Sequence, residues 1–322
     1  MLAVVALNLG GPDSLAAVQP FLRNLFADPD IIQLGWLRPV QPLLARLIAR
    51  RRAAFSRAAY SQIGGRSPIL EESTAQVQAV VRSMAASGVA AQPYLAMSYW
   101  HPFPVETAAA MRADGITRAL LLPLFPHQSR TTSASAFRTI ESALVGIAST
   151  RIEGYATAPG YIDALCQRIA EASQQLPEPE RATAPVLFSA HGLPESYIRH
   201  GDPYLDDIRS TVAAVTQRLG LDGRSQLAFQ SRVGRQPWLA PTTEAALDSL
   251  AAAGHRAVVV VPVSFTGEHL ETLQEIDILY RERAAARGIA SFARARAVGC
   301  HPAFIAELAA LLISAARDRG WA

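Results

Sequence analysis

Eight short apolar runs, each closed by glycine or proline and alternating with longer stretches of helical period, restrict this chain more than any other feature. The runs fall at 2–9, 92–99, 117–125, 150–156, 184–190, 225–231, 255–265 and 291–298. The helical stretches fall near 14–26, 39–58, 72–86, 104–114, 133–146, 160–174, 203–219, 241–253, 269–288 and 302–318. A strand that returns to lie parallel to its predecessor needs a crossover, usually a helix, so the alternation predicts an α/β fold with parallel sheets covered on both faces. Half of the 322 residues are hydrophobic, enough for a sizeable core.

The two halves repeat one another. "LNLGGPDS" (7–14) corresponds to "FSAHGLPES" (188–196), "LAMS" (95–98) to "LAFQ" (227–230), and "GITRALLLPLF" (115–125) to "GHRAVVVVPVSF" (254–265), in the same order. Three ordered matches predict two similar doubly wound lobes. The first is expected over 1–158, completed by a C-terminal helix at 302–322, and the second over 159–301, with the proline-marked "QQLPEPERATAP" (174–185) near the junction. In this alignment Leu9 is the counterpart of His191. Both stand at the carboxyl end of their lobe's first strand, where ligands of open α/β sheets collect, so the two are expected to face a common cleft.

Composition excludes several chemistries. The chain carries 30 basic and 27 acidic residues, a formal +3, with the basic residues spread through helical stretches, which argues against a nucleic-acid partner. All the basic residues are arginine, so a Schiff-base lysine and a P-loop lysine are both excluded. Cys166 and Cys300 are too few and too far apart for a four-cysteine centre, so no iron–sulfur cluster is expected. The opening "MLAVVALNLGGP" has no basic flank and breaks at Gly10-Gly11-Pro12, and it reads as the first strand of a cytoplasmic protein.

Two stretches carry chemistry. "FSAHGLPESY" (188–197) puts His191 at the end of an apolar strand, with Gly192 keeping the next turn free of a Cβ. "VVVVPVSFTGEHLETLQEIDILY" (258–280) is a buried strand, a Thr-Gly turn and a helix start holding Glu268, His269, Glu271, Glu275 and Asp277. Acids in a first turn often do no more than complement the helix dipole. Here Glu271 and Glu275 are four apart, on one helical face, and follow the most apolar strand of the chain. An imidazole with a carboxylate is an N/O set suited to a borderline ion such as Fe²⁺, and two ligands hold a metal loosely enough to hand it on.

These stretches, with "IGGRSPI" (63–69), "SYWHPF" (98–103), "LPLFP" (122–126), "FQSRVGRQPWL" (229–239) and "GEHLETLQEIDILY" (267–280), resemble the ferrochelatase family along almost the whole chain. The resemblance implies a lyase that inserts ferrous iron, as substrate metal, into a dicarboxylate porphyrin such as protoporphyrin IX. It implies His191 and Glu271 as the residues of metal and proton handling and Glu275 as the next acid behind them. It also implies porphyrin contacts at Leu9, Tyr60, Ser67, Tyr99 and Trp238, with Phe265 beside them and Arg66 and Arg130 as further rim candidates. The alternatives are a non-catalytic tetrapyrrole or metal carrier on the same fold, and a cobalt chelatase, which Glu271 disfavours.

The family pattern is broken at four points. Ser98 stands where an arginine is common, Leu279 where a third acid often follows Glu275, Leu9 where some relatives have tyrosine or methionine, and "HQSRTT" (127–132) differs from the usual loop. The missing third acid leaves the proton route either short or leaning on Asp277. Finally, the apolar "PFLRNLFADPDIIQLGWLRPV" (20–40) before the basic "ARLIARRRAAFSR" reads equally as a helix pair over the sheet or as a lip with peripheral membrane contact.

Overall fold

A computed structural model describes residues 1–31, 39–232 and 236–322. They form two compact units: Met1–Phe125, Ser129–Gly154 and Leu308–Ala322 make the first, and Pro126–Gln128 with Tyr155–Glu307 the second. The division therefore falls after Gly154 and again inside the last helix, Pro302–Asp318.

In the first unit, β1 (Leu2–Asn8), β2 (Gln92–Met97), β3 (Arg118–Pro123) and β4 (Ala148–Arg151) form a parallel sheet in the order β2-β1-β3-β4. In the second, β5 (Val186–His191), β6 (Ser225–Gln230), β7 (Ala257–Pro262) and β8 (Ser291–Arg294) are parallel in the order β6-β5-β7-β8. Numbered within its own unit each sheet reads 2-1-3-4, so the internal repeat seen in the sequence is a repeat of topology. Crossovers leave the first strand of such a sheet toward opposite sides, which opens a switch point at the carboxyl ends of β5 and β7.

The second sheet is covered on both faces, which is why its central strands are nearly continuous apolar runs. Leu187, Val258 and Val260 pack with Ala246 and Leu247 of the helix Thr243–Ala252 and with Ile276, Tyr280 and Ala284. On the other face, Phe188, Val259 and Val261 are at most 1% exposed, and the helix Pro159–Ser173 packs against β7.

Chain chemistry decides where β5 and β7 part. Their register ends at Ser189 and Pro262, while β5 continues beside β6 to the pair His191–Gln230. Pro262 has no N–H, and Val263 supplies the donor to the Ser189 carbonyl at 3.1 Å. The β7-side backbone groups of His191 are taken instead by side chains: its N–H donates to Ser264 Oγ at 3.1 Å, and its carbonyl accepts from the Tyr204 hydroxyl at 2.8 Å. His191 is thus held at a strand end by side chains that do not belong to the ladder.

One element departs from the α-helix expected over 269–288. Glu271–Tyr280 is a π-helix, followed by the α-helix Arg281–Ala286. Two short helices, Glu178–Arg181 and Glu195–Arg199, lie outside the helical stretches expected from the sequence.

Candidate active site

His191 meets Glu271, eighty residues on in the sequence, and its neighbour Glu275 at the switch point of the second unit. His191 Nδ1 is 2.8 Å from Glu271 Oε2. The side chains are 37% and 26% exposed, so the pair is open on one side. Nε2 of His191 has no hydrogen-bond partner among the described residues and is the ring atom left for a ligand or a proton. The Phe265 ring stands edge-on to the imidazole, with centroids 6.4 Å apart.

Ser231 joins the two acids. Its Oγ lies 2.9 Å from Glu271 Oε2 and 2.8 Å from Glu275 Oε2. Beside it Gln230, 1% exposed, directs Nε2 to the Glu271 carbonyl at 3.3 Å and to Glu275 Oε2 at 3.2 Å. The Gln230 amide is oriented from behind, because its Oε1 accepts from the Ser189 hydroxyl at 2.6 Å, and Ser189 in turn is 2.8 Å from Thr243 Oγ1. The result is a file running from His191 through Glu271 and Ser231 to Glu275.

The electrostatics follow from this packing. Burial, the largest influence on His191, favours the neutral ring, but the charge and hydrogen bond of Glu271 and the charge of Glu275 outweigh it, and the imidazole is raised above its ordinary 6.5. Burial also works against an anionic Glu271, yet His191, His269 and the Ser231 hydroxyl hold it well below the carboxylate range. Glu275 goes the other way: burial, then the neighbouring Glu271 charge, push it from 4.5 up to about 7. Hydrogen counting agrees. Ser231 has one hydroxyl hydrogen for two carboxylate contacts, and a proton on the raised Glu275 makes both contacts full hydrogen bonds.

The remaining polar groups of the segment belong to its scaffold. His269 Nδ1 accepts the Glu271 N–H at 3.0 Å, and its ring meets Phe265 edge-on at 4.1 Å. It therefore caps the helix and does not extend the file. Asp277 is not a member either. Its Oδ2 accepts from Arg294 Nε at 2.6 Å and its Oδ1 from Arg281 Nη2 at 2.8 Å, while Arg294 Nη1 also reaches both oxygens of Glu268, at 2.9 and 3.0 Å. The suggestion that the proton route leans on Asp277 is corrected by these bonds. Leu279 is 41% exposed and adds no acid.

The other sequence candidates are distributed between the units. Trp238 lies in the second, and its Cε3 would be 3.3 Å from a Cβ at Gly192, which would also lie 2.8 Å from the Gln230 carbonyl. That close approach is why residue 192 is glycine. Among the described residues the buried indole N–H of Trp238 has no partner. In the first unit, the Leu9 N–H donates to Asn8 Oδ1 at 2.8 Å, Tyr60 is 5% and Ser67 7% exposed, and the Tyr99 hydroxyl donates to Asp28 at 2.7 Å. Of the apolar stretch 20–40, residues 32–38 lie outside the described residues, as do 233–235 of "FQSRVGRQPWL". The helices on either side of the first gap, Val18–Ala27 and Gln41–Gln62, pack together.

Residues 1–316 match the family model described as Ferrochelatase. This chain belongs to the ferrochelatase family. A curated ferrochelatase of a Cyanothece species is 45% identical over 98% of this chain and 82% of that protein. The ferrochelatase of Gloeobacter violaceus is 44% identical over 96% of both chains. Among solved structures, SirB from Bacillus subtilis with Fe³⁺ aligns with a TM-score of 0.57 at 11% identity, covering 99% of this chain and 97% of that one. CbiX, the terminal enzyme of siroheme biosynthesis in denitrifying bacteria, gives 0.51 at 15% identity, over 97% and 99% of the two chains. At such identities the likeness to SirB and CbiX establishes a shared fold, two similar parallel α/β units. In this chain the file holds two acids, and the neighbouring Asp277 is paired with Arg281 and Arg294.

Four residues of the second unit escaped the sequence reading. Ser231 and Gln230 stood inside a quoted motif without a role, Ser264 stood inside the stretch 258–280 without one, and Tyr204 followed the stretch 188–197. The available signal was polar residues at the carboxyl ends of β6 and β7, at the edge where this fold gathers ligands.

Proposed function

We infer that this chain catalyses the ferrochelatase reaction, insertion of Fe²⁺ into a dicarboxylate porphyrin such as protoporphyrin IX, through the file that begins at His191. The reaction exchanges two pyrrole N–H protons for one divalent ion and releases both protons. The observation that carries this reading is a half-exposed imidazole, with Nε2 free, backed by an anionic Glu271 and a protonatable Glu275. His191 Nε2 meets the ring nitrogens and accepts a proton, and Nδ1 keeps its hydrogen bond to Glu271, which stabilises the imidazolium. Glu271 and Glu275 then lead charge away from the macrocycle. His191 and Glu271 are also the metal contacts of this proposal, an open two-ligand set through which iron passes.

Leu9, Tyr60, Ser67, Tyr99 and Trp238 are the proposed porphyrin contacts, Ser67, Tyr99 and Trp238 supported by the motifs at 63–69, 98–103 and 229–239 and Leu9 by its place at the end of β1. The unpartnered Trp238 N–H supports a polar ligand group near that indole. A peripheral membrane contact is supported by the helix Gln41–Gln62. It has arginines at 46, 50, 51, 52 and 57, no acidic residue, and exposed Leu43, Leu47 and Phe55. Among the described residues no helix is long and apolar enough to cross a membrane. A cytoplasmic or membrane-surface location is proposed on these grounds.

The test is metalation of porphyrin by the purified chain with Fe²⁺ or Zn²⁺, followed by absorbance. The native chain should accelerate insertion, and His191→Ala should lower turnover by about 10²-fold or more while still quenching as it binds porphyrin. A native chain that binds porphyrin without accelerating insertion would identify a carrier.

A further inference from the structure

We propose that Ser231 is a positioning residue of this reaction: its hydroxyl ties Glu271 and Glu275 together and aims Glu271 at His191. The inference rests on the role proposed above for that file. Among the described residues Ser231 is the one side chain bonded to both carboxylates, at 2.9 and 2.8 Å. Glu271 begins a π-helix, whose wide turn leaves a first-turn side chain with less support from its own helix than an α-helix would give. Without the serine, His191 is the one hydrogen-bond partner left to the Glu271 carboxylate among the described residues, and the two would drift as a pair.

The backbone gives independent support. Ser231 has φ +64, the one non-glycine residue at positive φ among those described. Glycine adopts this conformation without steric cost, whereas a side chain does not. A residue kept in that region against its preference marks a position where the side chain is needed. The base beneath it is rigid. Ser231 follows Gln230, which is 1% exposed and bonded to Ser189 and to the π-helix at two points. The left-handed step turns the chain so that the hydroxyl stands between the acids.

The test uses Ser231→Gly and Ser231→Ala in the full-length chain. Both should lose about tenfold or more in kcat with porphyrin KM unchanged within about twofold, the pattern of an interaction needed only during the chemical step. Ser231→Gly should melt no lower than the native chain, because glycine relaxes the left-handed backbone. Since the tie has two ends, the combination of Ser231→Gly with Glu275→Gln should cost less than the product of the two single effects. The inference is overturned if Ser231→Gly keeps kcat within about twofold of native while His191→Ala is inactive, or if its loss of rate comes with an equal fall in melting temperature and a raised KM. A His191→Ala variant at native rate would overturn the proposed function first, and the role of Ser231 with it.

Discussion

Glu275 keeps its proton into the neutral range because it is buried beside the charge of Glu271, and this makes the site sensitive to pH in a definite direction. A carboxyl group whose folded pKa is raised, here from 4.5 to about 7, favours the fold below its ordinary value, and that contribution is lost as pH rises through the folded value. His191, also raised, acts in the same sense above 6.5. Glu271, lowered, acts oppositely, and its contribution disappears only as pH falls below its ordinary 4.5. Between about pH 5 and pH 8 the first two dominate, so site-derived stability falls with rising pH. Glu275→Gln should flatten that slope and gain on the native chain at pH 8 relative to pH 5, as read from urea unfolding at each pH. An unchanged slope would show that Glu275 ionises without strain. His191 and both acids were legible from residue type alone: an imidazole ending an apolar strand and acids four apart after another. Ser231 was not, because nothing in the string "FQSR" announces a left-handed backbone or a partner forty residues away.

Strands and helices were legible for the opposite reason, since periodicity is a property of many residues at once. Seven of the eight apolar runs overlie a strand closely, β4 (Ala148–Arg151) overlaps the run at 150–156 by two residues, and β7, with six buried residues in a row, could hardly be anything else. What the pattern could not reveal was the π character of Glu271–Tyr280, because its apolar positions fit either helical period over so short a span. The sorting of its acids was equally hidden. Arg294, 9% exposed, lies in β8 and pairs with Glu268, 12% exposed, and with Asp277. Arg294→Leu strips a buried carboxylate of its counter-charge and should cost about 3–5 kcal/mol in urea unfolding, with part recovered by adding Glu268→Gln. A cost under about 1 kcal/mol would mean that water already reaches Glu268.

At the scale of the whole molecule, each unit arranges its sheet alike, and one of them assembles the charged file. The chain repeats a scaffold and varies the strand ends, so the repeat was readable from "LNLGGPDS" and "FSAHGLPES" while the difference in chemistry was concentrated at Leu9 and His191. The first unit carries the proposed membrane-facing helix. Leu43→Ser with Phe55→Ser should reduce sedimentation with anionic vesicles at low salt and leave metalation of a water-soluble porphyrin unchanged. Equal sedimentation of native and variant chains would remove that surface from the proposal. In the second unit, the grip on the two acids comes from Gln230 and Ser231 at the end of β6, the outermost strand of its sheet, whose outer edge pairs with the chain only through the bridge of Phe229 to Thr242 among the described residues. Margins open more readily than middles. In the proposed mechanism, a brief lifting of this outer strand would take the amide and the hydroxyl away from their carboxylates and idle the site while most of the molecule is still folded, and its return would restore it.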